Sequence, residues 1–263
     1  MVNLSPKEID DLNKEQFFQF SAKEHPGFFD ETGNRICRVI VMERLHPIFE
    51  LTNLDHFKQA IRDIVRAYHF LFNSETRILH HDISLHNLMV HYNNDGAVHG
   101  VLIDFDLASV GEPGGDEHHG RRTGTRRFIA IDLLEKETPP HLERFGWESF
   151  FYVICWIGTH CSNGTEIQTN ALKTWDADDD KTLSEVKQSV LFGLSRPNLR
   201  ILFTDFYKPL FFSWIRPIQR MFRDAAMAKG DFRVAENANP EDFDDETLGG
   251  YITWDKLWDI LTQ

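Results

Sequence analysis

Hydrophobic residues from Leu54 onward follow a helical period: Leu54, Phe57, Ile61, Ile64, Val65, Tyr68, Leu71 and Phe72 share one face. The pattern predicts an amphipathic helix with Asn53 as its N-cap. Ahead of it, CRVIVMERL (37–45) places Val39, Ile40 and Val41 together, which predicts a buried strand before a turn at His46-Pro47. Behind it, NLMVHY and AVHGVLI flank the turn sequence NNDG (93–96), and an Asp-Gly turn between such runs predicts a β-hairpin. The run SFFYVICWIG (149–158) is apolar on nearly every side, as expected of a helix buried all round at the centre of a helical lobe. Phe203, Phe206, Phe211, Phe212, Trp214 and the closing stretch TWDKLWDILTQ predict further packed helices. Residues 1–35 are polar and mixed, with a short helix expected over Pro6–Ala22. The segment Val110–Arg127 is Gly-rich, charged and aperiodic, which predicts a long functional or mobile loop. The fold class is α+β, mostly helical, with one small β-hairpin.

A chain of 263 residues can bury one sizeable core, and 41% hydrophobic with 26% charged residues describes a globular protein, not a disordered one. The longest apolar block, Phe150–Ile157, is too short to cross a bilayer. MVNLSPKEID lacks the basic and apolar pattern of a signal peptide, so an intracellular location, cytoplasmic or nuclear, is expected. Cys37, Cys155 and Cys161 have no zinc-motif spacing and are expected to be unpaired thiols. A net charge of −13 argues against broad attraction to nucleic acid or to an acidic membrane. The acidic runs DADDD (176–180) and EDFDDE (241–246) are expected to be solvated turns and tail.

The chemistry concentrates in ILHHDISLHNLMV and VLIDFDLAS. Asp82 and Asn87 lie five apart in a polar loop; Asn87 enters the hairpin and Asp104 leaves it. An antiparallel hairpin returns the chain to its starting edge, so Asn87 and Asp104 are expected side by side. An amide oxygen and a carboxylate converging in this way suit magnesium, which accepts few protein ligands and shares phosphate oxygens. Asp82 stays on the loop, free to orient or deprotonate a nucleophile beside the metal. His80 is expected to bury its ring under the loop. Asp106 is either a further ligand or a cap for the next turn, with the cap preferred.

HHDISLHN resembles the protein-kinase catalytic loop, IDFD resembles the metal-binding Asp-Phe-Gly segment, and AIDLL (130–134) stands where Ala-Pro-Glu would close the activation segment. In order and spacing, ILHHDIS, LIDFDLA, RRTGTRRFIAIDLL and ESFFYVICWI resemble the fungal-type protein kinase family, over roughly residues 38–195. The resemblance implies the large lobe of a kinase-like fold, with ATP and magnesium as cofactors and a protein substrate or protein partner. It makes Asp82 the catalytic base and Asn87 and Asp104 the magnesium ligands. Ser84 takes the place of the usual lysine two residues past the base, in keeping with fungal-type wording. Glu43, Arg44 and Leu45 become the hinge against adenine, with Met42 behind it. Thr123, Gly124 and Thr125 fall in the peptide-substrate part of the activation segment. The implied domains are an N-terminal segment 1–36, a large lobe 37–225 and an acidic tail with a terminal helix, 226–263. Within the lobe lie the hinge 43–45, the catalytic loop 80–87 and the activation segment 104–132.

Some positions depart from the family pattern. No G-x-G-x-x-G precedes Glu43, where only Gly27 and Gly33 occur, so residues 1–36 are expected to be a remnant or replacement of the small lobe. His81 replaces the catalytic-loop arginine, and Gly146 replaces the aspartate that braces this loop in kinases. Arg121, Arg122, Arg126 and Arg127 are phosphate binders or an exposed solubilising cluster. The expected function is an ATP- and Mg-dependent serine/threonine protein kinase-like phosphotransferase, incomplete in this chain. The alternative is a catalytically inactive pseudokinase acting as a binding or scaffold module. A small-molecule phosphotransferase is disfavoured by GTRRFIAIDLL.

Overall fold

The computed structural model describes residues 44–110, 124–134, 141–195, 197–235, 239 and 242–263. All of these except Arg44 belong to one compact unit, Leu45–Gln263. The expected strand 37–45 lies almost wholly outside the described residues. So do the helix over Pro6–Ala22 and the sites at Met42, Glu43, Arg121, Arg122 and Thr123.

The described chain opens with a short strand β1 (His46–Pro47) and enters α1 (Leu54–Phe72) through Asn53. The Asn53 side chain accepts hydrogen bonds from the Asp55 and His56 backbone N–H groups, satisfying donors that the first helical turn leaves unpaired. Phe57, Ile61, Ile64, Val65, Tyr68 and Phe72 form its buried stripe, as the periodicity predicts. Strands β2 (Ile78–Leu79), β3 (Leu88–Tyr92), β4 (Val98–Leu102) and β5 (Ser109–Val110) follow. β3 and β4 form the expected antiparallel hairpin, with Leu88 opposite Leu102, and β1 adds a third strand beside β3. β4 lies directly on α1: a Cβ at Gly100 would sit 2.0 Å from the Ala60 carbonyl oxygen, so only glycine permits this approach.

The apolar run forms α2 (Glu143–His160), buried along its length except at Trp156 and His160. It begins six residues before the apolar run, and its first turns pack against Tyr68 of α1. A tight hairpin of β6 (Cys161–Ser162) and β7 (Thr165–Glu166) ends it, turning through Asn163 and Gly164, both at positive φ. The longer helices that follow are α3 (Asp180–Leu191), α5 (Arg216–Arg233) and α6 (Trp254–Thr262), with a short α4 (Leu199–Leu202) between the first two. A π-helical turn, Phe211–Ile215, leads into α5. The architecture is α+β and mostly helical.

The 225/226 boundary expected from the sequence falls inside α5. Beyond it, α6 contributes Leu257 and Leu261 to the same hydrophobic core as α1 and α2, and Trp254 stacks on His69 at 3.9 Å. The terminal helix is therefore part of the core. The main neighbour of the hairpin is α1, while the loop ahead of it reaches the N-terminal half of α2, where His81 and Ile83 share a small cavity with Gly146 and Ser149. Among the described residues, no helix is long and apolar enough to cross a membrane.

Candidate functional site

Two antiparallel pairings fold residues 78–110 back on themselves. β2 pairs with β5, Leu79 opposite Ser109, and inside that frame β3 pairs with β4. The ladder extends one step further, with the Ile103 N–H donating to the Asn87 carbonyl at 3.0 Å. The polar loop 80–87 and the segment after β4 therefore leave the sheet at the same edge. Asp104 is the next residue, exposed and at φ 66. A left-handed backbone at a non-glycine residue costs energy that the surrounding fold must supply, and such positions concentrate at functional sites. His81 is a second case, at φ 63.

The Asp82 carboxylate is held from two sides. Asn87 Nδ2 donates to the Asp82 carbonyl at 2.8 Å and to Oδ2 at 3.1 Å. The Thr125 backbone N–H donates to Oδ1 at 2.7 Å, and its hydroxyl donates to the same oxygen at 3.0 Å. Gly124 makes the Thr125 contact possible: at φ +105, a Cβ there would lie 2.6 Å from the His81 carbonyl oxygen. Below the loop, His80 is 1% exposed. Its Nε2 bonds the Ile103 carbonyl at 2.9 Å, and its Nδ1 accepts from the Asp82 N–H at 3.3 Å. A neutral ring protonated at Nε2 satisfies both, and burial pushes its pKa below the ordinary 6.5 in keeping with that form. His80 thus ties the loop to the strand that delivers Asp104, and Phe105 packs edge-on against its ring at 4.6 Å.

Ser84 is buried; its carbonyl accepts from the Asn87 N–H at the start of the 3-10 turn Leu85–Asn87. Asp106 is exposed in the turn closed by the Ala108 N–H and the Phe105 carbonyl, and its side chain makes no capping bond among the described residues. Gly146 carries no brace to the loop. The Tyr68 ring occupies that space, so that a Cβ on Gly146 would meet it at 2.3 Å, and the Tyr68 hydroxyl donates to the Glu143 carbonyl. The loop is held instead by His80, Asn87 and Thr125.

Residues 126–134 anchor the far side of the site. Arg126 donates to the carbonyls of Ala177 and Asp178 and pairs with Asp180 at 2.6 Å. Arg127 pairs with Asp176 at 2.5 Å and lies over the Trp156 ring at 4.1 Å. The acidic run 176–180 is therefore the partner of these arginines, not a free solvated turn. Behind them, buried Glu148 accepts from the Ile131 N–H at 2.8 Å and from the Tyr152 hydroxyl at 2.6 Å. Buried Lys187 donates to the Ile129 carbonyl and lies over the Tyr152 ring. Burial drives Glu148 up and Lys187 down, each toward its neutral form. Arg144 pairs with Asp132 at 2.7 Å.

The sequence does not mark Glu148 and Lys187 as chemistry, and it marks Thr125 only as part of the peptide-substrate stretch, not as a holder of Asp82. The available signal for Glu148 is a glutamate directly ahead of the apolar run 149–158, because a buried carboxylate must find partners.

Among the described residues, no three His, Cys, Asp or Glu side chains converge as a metal site. The donor set at the sheet edge is instead one exposed carboxylate, Asp104, and the Asn87 amide, whose NH2 group is committed to Asp82 and whose oxygen is thereby left as the acceptor. That set fits a hard cation completing its shell with water and phosphate oxygens.

The pattern of the fungal protein kinase family matches residues 4–158, more than half of the chain, and the chain belongs to that family. No curated protein matches it. Membership implies kinase-type chemistry in general: ATP and magnesium as cofactors, and proteins as substrates.

Proposed function

We propose that the chain carries the large lobe of a serine/threonine protein kinase-like phosphotransferase, with Asp82 as the base for the acceptor hydroxyl and Asn87 and Asp104 as the magnesium ligands. The observation that carries this is the fixed Asp82 carboxylate, held by Asn87 and Thr125 at the edge where the hairpin delivers Asp104. Bound magnesium would neutralise charge on the ATP phosphates, where this chemistry depends on positioning and electrostatics. Asn87 links the two halves, orienting Asp82 through its NH2 group and facing a cation through its oxygen. Thr125 sets the carboxylate plane, leaving remaining lone pairs of Asp82 to take the acceptor proton. Met42, Glu43 and Leu45 are the proposed adenine contacts, and Ser84 supports the loop from within. The lobe is proposed to span residues 37–225, extended by the packing of α6 onto it.

A second reading, a pseudokinase that serves as a binding or scaffold module, is favoured by Gly146, which gives the catalytic loop no aspartate brace. Melting with and without Mg-ATP separates the two. Binding in the range of ~0.1–1 mM is expected, and ligand at about ten times Kd stabilises by roughly 1.4 kcal/mol. Asp104→Ala should abolish the shift. Asp82→Asn should keep it while phosphoryl transfer to a serine- and threonine-containing peptide pool falls ~100-fold or more, measured with a complete small lobe supplied. No shift with Mg-ATP would favour the pseudokinase; transfer by Asp82→Asn at the parent rate would remove Asp82 from the catalytic role.

A further inference from the structure

A second polar concavity lies away from this site, where α4 faces α5 and the π-helical turn before it. It is a cleft of about 510 Å³ lined by Arg200, Arg216, Arg220 and Arg223, with Phe211 and Phe212 in its wall. Arg216, Arg220 and Arg223 follow i, i+4, i+7 spacing, so they rise from one face of α5. Among the described residues, no carboxylate lines the cleft, although the chain holds 41 acidic residues against 28 lysines and arginines. Among the described residues Arg216 and Arg220 have no ion-pair partner. The nearest acid to Arg223 is its sequence neighbour Asp224, at 3.7 Å. Arg200 stacks on Phe212 at 4.8 Å.

Like charges one helical turn apart oppose folding, so this stripe is not a stabilising device. The cleft is also held in shape: buried Gln219 donates to the Val190 carbonyl at 2.6 Å, fixing α5 to α3 beneath it. Its cations are all arginines. Guanidinium forks bind phosphate oxygens in pairs, where lysine offers only a point charge. Beside them Ile201 and Phe212 are 69% and 51% exposed, an apolar rim next to a cationic floor. A concave, arginine-only floor with an apolar rim matches a phosphorylated side chain followed by a bulky apolar one, a recurrent mode of peptide recognition. The strongly acidic remainder of the chain repels extended polyanions.

We propose that this cleft docks a phosphorylated peptide segment, the phosphate held by Arg216 and Arg220 and a neighbouring apolar side chain set against Phe212 and Ile201. No nucleotide is needed, so the test is independent of phosphoryl transfer. The full chain is titrated into a fluorescein-labelled pool of short peptides, with phosphoserine, phosphothreonine or phosphotyrosine at the centre and randomised flanks, and into the same pool after phosphatase treatment. Binding about tenfold tighter or more to the phosphorylated pool is expected, with apolar residues enriched beside the phosphate in the bound fraction. Arg216→Gln with Arg220→Gln should lose that preference at a melting temperature no lower than the parent's. Arg216→Lys with Arg220→Lys should recover it only in part, because the charge remains but the fork does not. Equal binding of the two pools would overturn the proposal, as would parent-like binding by the double glutamine variant. Tighter binding of phosphatidylserine vesicles or single-stranded RNA, lost in that same variant, would also overturn it by assigning the cleft to another polyanion.

Discussion

Arg126 and Arg127 at one site, and Arg216 and Arg220 at another, are the same chemistry in opposite circumstances. The first pair meets Asp180, Asp176 and two backbone carbonyls, and one of its members covers Trp156. The second pair faces a cleft with no acid in it among the described residues. Around Asp82 the polar groups are likewise engaged with one another, so their geometry is set before any ligand arrives. In the α5 cleft the geometry is open and the charge is uncompensated. Engagement, not residue type, separates a group that builds the fold from one left for a partner.

The comparison can be broken hardest from the engaged side. Gly146→Ala would drive a Cβ to 2.3 Å from the buried Tyr68 ring. Overpacking of this kind costs about 1–3 kcal/mol, and the better helix propensity of alanine returns about 1. A net loss of up to about 2 kcal/mol is expected in chemical denaturation, with phosphopeptide binding at α5 unchanged in the folded fraction. A loss of both together would show that the two regions are not independent.

Acid should act on the same side. Burial holds the His141 pKa at about 4, below the ordinary 6.5, and it packs at 4.1 Å against His81 and near Phe145. His80 and His160 are lowered too, chiefly by burial. A lowered histidine pKa means that the unfolded chain binds the proton more tightly, so stability is complete above pH 6.5 and is lost as pH falls toward 4. For His141 alone the loss between pH 7 and pH 5 is roughly 1.5 kcal/mol, allowing for its partial exposure. His141→Phe should flatten the profile by that amount; an unchanged slope would place the sensitivity elsewhere.

The smallest effects give the sharpest contrast. Arg126→Gln should cost about 1 kcal/mol, because partly exposed charged hydrogen bonds are lost. Arg220→Gln should change stability by less than about 0.5 kcal/mol and in the stabilising direction, since it relieves like-charge repulsion along α5. Equal costs would mean that Arg220 has a partner after all.

Much of the engaged side was legible in the sequence, because its signals are local. The period of α1, the Asn53 cap, the Asp-Gly turn and the all-apolar run each report a neighbourhood of a few residues, and the hairpin rule alone brings Asn87 to the edge that Asp104 leaves. What was not legible is joined across distance. Thr125 reaches Asp82 over 43 positions, and Arg126 reaches Asp180 over 54. Nothing in the DADDD run distinguishes an acid awaiting arginine from one facing water. Gly146 looked like a missing brace because the ring that fills its place comes from Tyr68, on another helix. The α5 cleft went unread for the same reason: Arg200 and Arg216 belong to different helices, and their shared floor exists only once these are packed.

The Ile131 amide is part of a 3-10 turn, yet its hydrogen is handed to the carboxylate of Glu148, a residue 2% exposed on a helix buried nearly all round. An amide sealed in this way meets solvent deuterium only when the fold around it opens. The Thr125 amide, bound to Asp82 at the exposed end of the same segment, exchanges through a small local opening. Within a few residues the chain passes from a clock that ticks with loop breathing to one that ticks with global unfolding. The segment facing Asp82 therefore has one end free to adjust and one end as permanent as the core.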